Sequence, residues 1–321
     1  MNDSTIPDDV FDCLIIGAGP AGLTAALYTS RSAMKTLVLE GSSTVSQVTV
    51  TDIVENYPGI PEVNGFELHH RLRTQALSFG AEARAEDVLS LEKTSLGAVE
   101  GWTINTNLAS YRSLSVIVAS GARWRSLGVP GEEEFIGRGV SYCATCDGPF
   151  YRNRSVAVVG GGNTAVQEAL YLTKFADRVT IVHRRDRLRA SAILQERASA
   201  NSKIDFCWDG VVDRIEGDTG VTRLRVKKLK GTDAYITLPV EGVFIFIGLD
   251  PLTDFIRGLV TTDGGGYIVT DSQMRTSERG LFAAGDCVVK PFRQIVTACG
   301  DGATAAYQAE LYVDELRDRS Y

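Results

Sequence analysis

The sequence predicts an α/β fold of two Rossmann-like dinucleotide-binding domains, one inserted into the other. Three observations predict it. A strand, glycine turn, helix, strand unit stands near the N-terminus, the same unit recurs near the middle of the chain, and an apolar strand ending in Gly285-Asp286 follows near the C-terminus. At 321 residues there is room for about two domains of ordinary size.

The first unit opens with Phe11 to Ile16, a short run that reads as a buried strand. Gly17-Ala18-Gly19-Pro20-Ala21-Gly22 follows, then an Ala-rich helical stretch to about Ser32 and a strand from Thr36 to Leu39 that ends at Glu40. A lone Gly-x-Gly-x-x-Gly is a weak signal. Set between a strand and a helix, with an acid at the end of the next strand, it is a dinucleotide fingerprint. Gly17, Gly19 and Gly22 let the backbone approach a pyrophosphate, Pro20 and Ala21 open the helix whose N-terminus meets its charge, and Glu40 can accept both hydroxyls of an adenosine ribose.

Downstream the chain predicts a helix from Gly65 to Phe79, alternating segments at Val88 to Glu92 and Trp102 to Thr106, and a strand from Ser113 to Ser120 ending at Gly121-Ala122. The second unit then runs from the strand Ser155 to Val159 through the turn Gly160-Gly161-Gly162-Asn163-Thr164-Ala165, a helix from Val166 to Phe175 and a strand from Val179 to Val182. Aligning Gly17 with Gly160 puts His183 where Glu40 stands, followed by Arg184, Arg185 and Arg189. An acid there would repel a ribose 2′-phosphate, whereas guanidinium forks attract one, so this site favours NADPH over NADH. An apolar strand from Gly242 to Gly248 and a helical run from Gly302 to Leu316 complete the reading. The strands ending near 121 and 248 are the crossings between domains. Residues 1–122 with 250–321 form the first domain, and 123–249 the inserted one.

The first turn alone does not distinguish FAD from NAD. Asp286 does, because an acid after an apolar strand and Gly285 can bind a ribitol hydroxyl, and of the two cofactors only FAD has ribitol. Between the two units lies Cys143-Ala144-Thr145-Cys146-Asp147-Gly148. A Cys-x-x-Cys pair closes reversibly into a disulfide, and its deprotonated sulfur attacks another disulfide. A dithiol beside two nucleotide sites points to hydride-driven reduction of protein disulfides.

Composition narrows the classes further. A net charge of -7 lacks the basic footprint of a general nucleic-acid binder. Met1 to Asp12 has no apolar core of a signal peptide, and no run is long enough to span a membrane. Of six cysteines only Cys143 and Cys146 are neighbours, a pattern of a reducing cytoplasm with one redox pair. The three histidines offer no zinc spacing, so no metal is expected.

The ordered set of motifs resembles the low-molecular-weight thioredoxin reductases over essentially the whole length. Its marks are residues 17–22, Val-Glu-Asn-Tyr-Pro-Gly at 54–59, 143–148, 160–165, His-Arg-Arg-Asp-x-x-Arg-Ala at 183–190, Ala-Ala-Gly-Asp at 283–286 and Arg-Gln-x-x-Thr-Ala at 293–298. The resemblance implies that electrons pass from NADPH through FAD and the Cys143/Cys146 pair to a thioredoxin-like protein. It places Cys146 nearest the flavin as the charge-transfer thiolate, Cys143 toward the protein disulfide and Asp147 as the acid or base of the dithiol. Gln47, Asn56, Asp286, Arg293 and Gln294 would contact FAD; Gly160, Gly162, Asn163, Thr164, Ala165 and His183 would join the arginines at NADPH. A homodimer and a rotation of the inserted domain are implied as well.

The chain departs from the pattern at Val45-Ser46, where Gly-Gly is usual before the glutamine, and at Leu252, where Asn is usual. Cys287 and Cys299 occupy positions usually small and apolar, and are expected to fill that space as buried thiols. Tyr142, Trp124 and Trp208 are expected in the core or on ordinary surface, and His69-His70 on a helix surface. Two rival readings are a flavin dithiol oxidase using oxygen and a ferredoxin-driven relative. The basic cluster at 184–189 disfavours both, because neither depends on NADPH.

Overall fold

The computed structural model describes residues 6–7, 9–42, 46–51, 53–230 and 234–317. They divide into two compact units, residues 1–123 with 250–321 and residues 124–249. Val45, one of the departures noted above, lies outside the described residues.

The first unit starts with β1 (Phe11–Ile16), buried along its whole length as a strand covered on both faces must be. Helix α1 (Pro20–Arg31) has Pro20 in its first turn, where the missing N–H costs nothing. Strand β2 (Thr36–Glu40) lies parallel to β1. Helix α2 (Gly65–Ser78) is N-capped by Asn64, whose side chain accepts the Phe66 N–H at 2.9 Å. Strand β3 (Glu82–Ala85) joins β2 in parallel, and β4 (Val88–Leu96), β5 (Val99–Thr106) and β6 (Ser110–Val118) form an antiparallel meander. Strand β6 then pairs parallel with β1, giving the order β3-β2-β1-β6-β5-β4. Alternation along β1 feeds both faces. Leu14 and Ile16 pack with Leu37, Trp102 and Val116, while Cys13 and Ile15 pack with Ala25 and Ala26 of α1. The chain leaves this unit through β7 (Ala122–Trp124).

In the second unit, β8 (Val140–Ser141) leads into the short helix α3 (Ala144–Asp147). There follow β9 (Ser155–Gly160), α4 (Asn163–Leu172), β10 (Arg178–Val182), α5 (Ala192–Ser199) and β11 (Ile204–Cys207). Strands β12 (Gly210–Gly217), β13 (Val221–Lys228) and β14 (Tyr235–Pro239) make an antiparallel sheet of their own. Strand β15 (Gly242–Phe246) completes a parallel sheet ordered β11-β10-β9-β15-β8. The return strand β16 (Leu249–Pro251) pairs with β7, so the two chain crossings run side by side.

Back in the first unit, β17 (Leu281–Ala283) pairs parallel with the end of β6, and α6 (Ile295–Leu316) closes the chain. Alanines 305, 306 and 309 of α6 join the cluster that contains Ala25 and Ala26. No helix among the described residues is long and apolar enough to cross a membrane.

Several elements differ from the sequence expectation. Helix α6 begins at Ile295, two turns before Gly302, because Gly302 is a packing residue and not a helix end: a Cβ there would sit 2.1 Å from the Ala21 carbonyl oxygen. Helix α4 begins at Asn163, directly after its Gly162 N-cap, and ends at Leu172. Strands β12 to β14 were not expected. Register shifts at Val212/Arg214 and Glu216/Gly217 break the alternation that would have announced β12.

Candidate active site

Cys143 and Cys146 are joined by a disulfide with Cα atoms 5.3 Å apart. Cys143 has an extended backbone at the N-cap of α3, and its sulfur takes the place of the usual capping oxygen by accepting the Cys146 N–H at 3.2 Å. Ser141 braces the loop, its hydroxyl accepting the Cys143 N–H at 3.1 Å and donating to the Cys143 carbonyl at 3.3 Å. The Thr145 hydroxyl lies 3.4 Å from the Cys143 sulfur. Asp147 follows, half-buried, with its N–H on the Cys143 carbonyl at 3.1 Å. Burial and then the charge of Asp147 push the Tyr151 phenol up to about 12. The two sulfurs are therefore held by one tight turn, as a reversible dithiol requires.

Upstream of this turn, Tyr142 stacks on Trp124 with ring centroids 5.0 Å apart. Its hydroxyl donates at 2.7 Å to Glu132, a buried carboxylate that also accepts the N–H groups of Leu127 and Gly128. Trp208 stacks on Phe206 at 4.7 Å. These stacks join neighbouring segments of the second unit, and all three residues are half-buried.

The same unit carries the second glycine turn. Gly162 caps α4 with no side-chain hydrogen bond, leaving the first-turn N–H groups without a side-chain cap. Asn163 takes the Ser191 N–H at 2.8 Å and thereby ties α4 to the segment after Arg189. Thr164 is exposed and Ala165 buried. His183 is buried directly beneath the turn: a Cβ on Gly161 would lie 2.4 Å from its imidazole ring. Burial, then the charges of Arg189, Arg185 and Arg184, hold this imidazole below its ordinary range. Its Nε2 is buried without a hydrogen-bond partner. Arg184, Arg185 and Arg189 are exposed, and none forms an ion pair among the described residues. A phosphate-bearing nucleotide fits this set: open amides at one end of the turn, three uncommitted guanidinium groups at the other.

In the first unit, Gly17 has φ +107°, and a Cβ there would lie 2.3 Å from the Ala119 carbonyl oxygen. A Cβ on Gly22 would lie 1.8 Å from the Gly17 oxygen, so the turn can close only around glycine. Gly19 caps α1 without a side-chain hydrogen bond, with Pro20 and Ala21 following it. Glu40, at the end of β2, is held by Arg73 of α2 at 2.6 Å and 3.4 Å. His69 of the same helix places Nε2 2.8 Å from the Ala18 carbonyl. Neither contact was visible in the sequence, since α2 is separated from the turn by more than forty residues and no motif marks it.

Around Asp286 the structure is more telling. Gly285 has φ +81° and donates its N–H at 3.1 Å to Asp301, which pairs with Lys290. Asp286 Oδ1 is buried with no hydrogen-bond partner, and burial pushes the carboxyl above the usual carboxylate range. A buried acceptor lacking a donor is what a cofactor hydroxyl would satisfy. Arg293 spans the carbonyls of Asp286, Val288 and Lys290 at 3.2 to 3.4 Å and lies 4.4 Å over the Tyr267 ring. It shapes the loop behind Asp286. Gln294 accepts from Asn56 at 2.9 Å and caps α6, while the Gln47 amide donates to the Ala122 carbonyl. Cys287 is buried, its thiol on the Ala284 carbonyl at 3.3 Å and pushed up by burial. Cys299 is buried too, 3.8 Å from the Tyr57 hydroxyl and from the Pro20 carbonyl. Leu252 donates its N–H to the Gly121 carbonyl at 3.0 Å, a backbone contact that does not explain its side chain.

Comparison with known proteins agrees with this geometry. The profile of the family described as pyridine nucleotide-disulphide oxidoreductase matches residues 11–302. The thioredoxin reductase of Listeria innocua is 48% identical over 313 residues, 97% of this chain and 96% of that one. The thioredoxin reductase of Bacillus subtilis is 44% identical over 313 residues, 97% of each chain. The crystal structure of thioredoxin reductase from Streptococcus pyogenes superposes with a TM-score of 0.91 at 44% identity, covering 96% of this chain and 100% of that one. The chain belongs to the pyridine nucleotide-disulphide oxidoreductases, and within them to the low-molecular-weight thioredoxin reductases.

Proposed function

We propose that this thioredoxin reductase uses FAD in its first unit and NADPH in its second, and that Cys143 and Cys146 deliver the electrons to the disulfide of a thioredoxin-like protein. The observation that carries the reading is the Cys143–Cys146 disulfide on the unit that also holds the arginine-bordered glycine turn. The nucleotide and the flavin supply two-electron chemistry when bound. The chain supplies the rest. Asp286 presents a buried acceptor to the ribitol and Glu40 one to the adenosine ribose, α1 offers its uncapped N–H groups to the pyrophosphate, and Gln47, Asn56, Arg293 and Gln294 line or shape the same site. The N-terminal amides of α4 and Arg184, Arg185 and Arg189 bind NADPH, with His183 beneath them.

In the exchange step the Cys143 thiolate attacks one sulfur of the partner disulfide, whose other sulfur leaves with the bonding pair and takes a proton from Asp147 or water. Cys146 then attacks Cys143, the mixed disulfide breaks, and the partner departs as a dithiol. Two electrons have moved. We further infer a cytoplasmic homodimer. The four remaining cysteines are reduced and buried, and Tyr28, Phe66 and Tyr307 expose apolar surface on α1, α2 and α6. Anaerobic titration with NADPH, followed by oxidised thioredoxin, tests the electron route. Flavin absorbance should bleach and then return; return only on admitting oxygen would overturn it. Light scattering after gel filtration tests the dimer.

A further inference from the structure

Of the two residues between the cysteines, only one can reach a sulfur. Ala144 is buried and packs with Ala165, Val166 and Ala169 of α4. Thr145 is half-buried, and its hydroxyl oxygen is 3.4 Å from the Cys143 sulfur. A sulfur in a disulfide has no proton, so the hydroxyl is the donor in this contact. Together with the Cys146 N–H at 3.2 Å, it makes two donors converging on one sulfur of the pair.

We propose that Thr145 is a catalytic residue of the dithiol, its hydroxyl donating to Cys143 and stabilising that sulfur as the thiolate that attacks the partner disulfide. The proposal rests on the reading that Cys143 is the partner-facing sulfur. Donors to an anion favour its formation, and the thiolate is the nucleophile. Two moments need that charge. When the internal disulfide opens with two electrons that a bound flavin would supply, the Cys143 sulfur leaves with one electron pair. When it attacks the partner, the fraction already ionised sets the rate. The gain has a limit, since intrinsic nucleophilicity falls as the pKa falls. Lowering the pKa by one unit from about 8.5 raises the thiolate fraction at neutral pH roughly tenfold and costs roughly threefold in intrinsic rate, a net benefit of about threefold.

The test compares three chains that all carry Cys146→Ser, which leaves Cys143 as a lone thiol and keeps the residue 146 N–H. They have Thr145, Thr145→Val or Thr145→Ser, with flavin content and circular dichroism confirming the fold. Iodoacetamide labelling of the Cys143 peptide is followed against pH by mass spectrometry. The Val chain should ionise about one pH unit higher than its Thr parent, and the Ser chain should return to the parent value. Equal midpoints for Thr and Val would overturn the proposal, as would a Ser chain shifted as far as Val, since that would assign the effect to packing. In the chain with both cysteines, Thr145→Val should slow thioredoxin turnover at neutral pH and recover toward higher pH. Separately, the parent Cys146→Ser chain should trap a mixed disulfide with a thioredoxin lacking its resolving cysteine. Labelling that depends on residue 145 with no such adduct would overturn the assignment of Cys143 to the partner and leave its ionisation intact as a local property.

Discussion

A buried carboxylate with no donor for one of its oxygens is a cost unless something arrives to use it, and Asp286 is that residue in the first unit. Its raised pKa fixes the sign. An acid that ionises less readily when folded destabilises the folded chain at pH values above its folded pKa, and the penalty fades as pH falls toward the unfolded value near 3.8. Flavin-free Asp286→Asn should therefore melt higher than flavin-free wild type at neutral pH, by about 2–4 °C for each kcal/mol relieved, with the difference shrinking in acid. The same variant should retain less FAD through gel filtration. A lower melting point at neutral pH would show that Lys290 and Arg293 already compensate the charge. In the second unit, the exposed Arg184 and Arg189 have no carboxylate partner among the described residues to lose. Arg184→Ala or Arg189→Ala should weaken NADPH use by about one to two orders of magnitude and barely alter NADH use, a difference that steady-state kinetics with both nucleotides reads directly. The acid at 286 and the cation cluster at 184–189 could both be read from sequence because charge type at a strand end is local information. The grip of Arg73 on Glu40 and of His69 on the Ala18 carbonyl could not, because each depends on where α2 lands.

At the scale of elements, the two glycine turns look alike in sequence and are closed by different neighbours. In the first, backbone meets backbone, with the Gly17 position against Ala119 and the Gly22 position against Gly17. In the second, the Gly160 position also meets backbone, a Cβ there lying 2.4 Å from the Phe246 carbonyl oxygen, and a side chain joins it, the imidazole of His183 packing where a Gly161 Cβ would be. Gly161→Ala should therefore cost about 1–3 kcal/mol of stability in the second unit through overpacking, and weaken NADPH binding by lifting the turn. Flavin content should not change; calorimetry beside a flavin assay separates the two. The parallel strands were legible because near-continuous apolar runs such as Phe11–Ile16, interrupted only by Asp12, and Val156–Val159 are the mark of strands buried on both faces. The beginning of α6 was hidden by its own composition. Cys299-Gly300-Asp301-Gly302 reads as a break, yet Asp301 serves Gly285 and Lys290, and Gly302 lets the helix approach Ala21. Strand β12 was hidden by bulges, which move successive side chains off a simple alternation.

For the molecule as a whole, what matters is which unit owns which chemistry. The residues fitted to a flavin, Asp286 and the Gly17 turn, belong to one unit, while the dithiol and the arginine-bordered turn both belong to the other. On the proposed electron route, a flavin in the first unit would have to meet two sites of the second unit, and the expectation is that it would serve them in alternation. Chain crossings through β7 and β16 join the units and would carry the rearrangement between those visits. A rearrangement of a whole unit through solvent is slowed by viscosity, whereas hydride transfer within a formed complex is not. Turnover with saturating NADPH and thioredoxin should therefore fall as sucrose raises the relative viscosity, in nearly inverse proportion if the rearrangement limits the rate. Thiol-disulfide exchange measured on the chemically reduced enzyme at saturating thioredoxin should depend on viscosity much less, because both sulfurs belong to the second unit. Equal sensitivity of both rates would place the slow step at partner encounter or release, and a turnover indifferent to sucrose would place it in the chemistry.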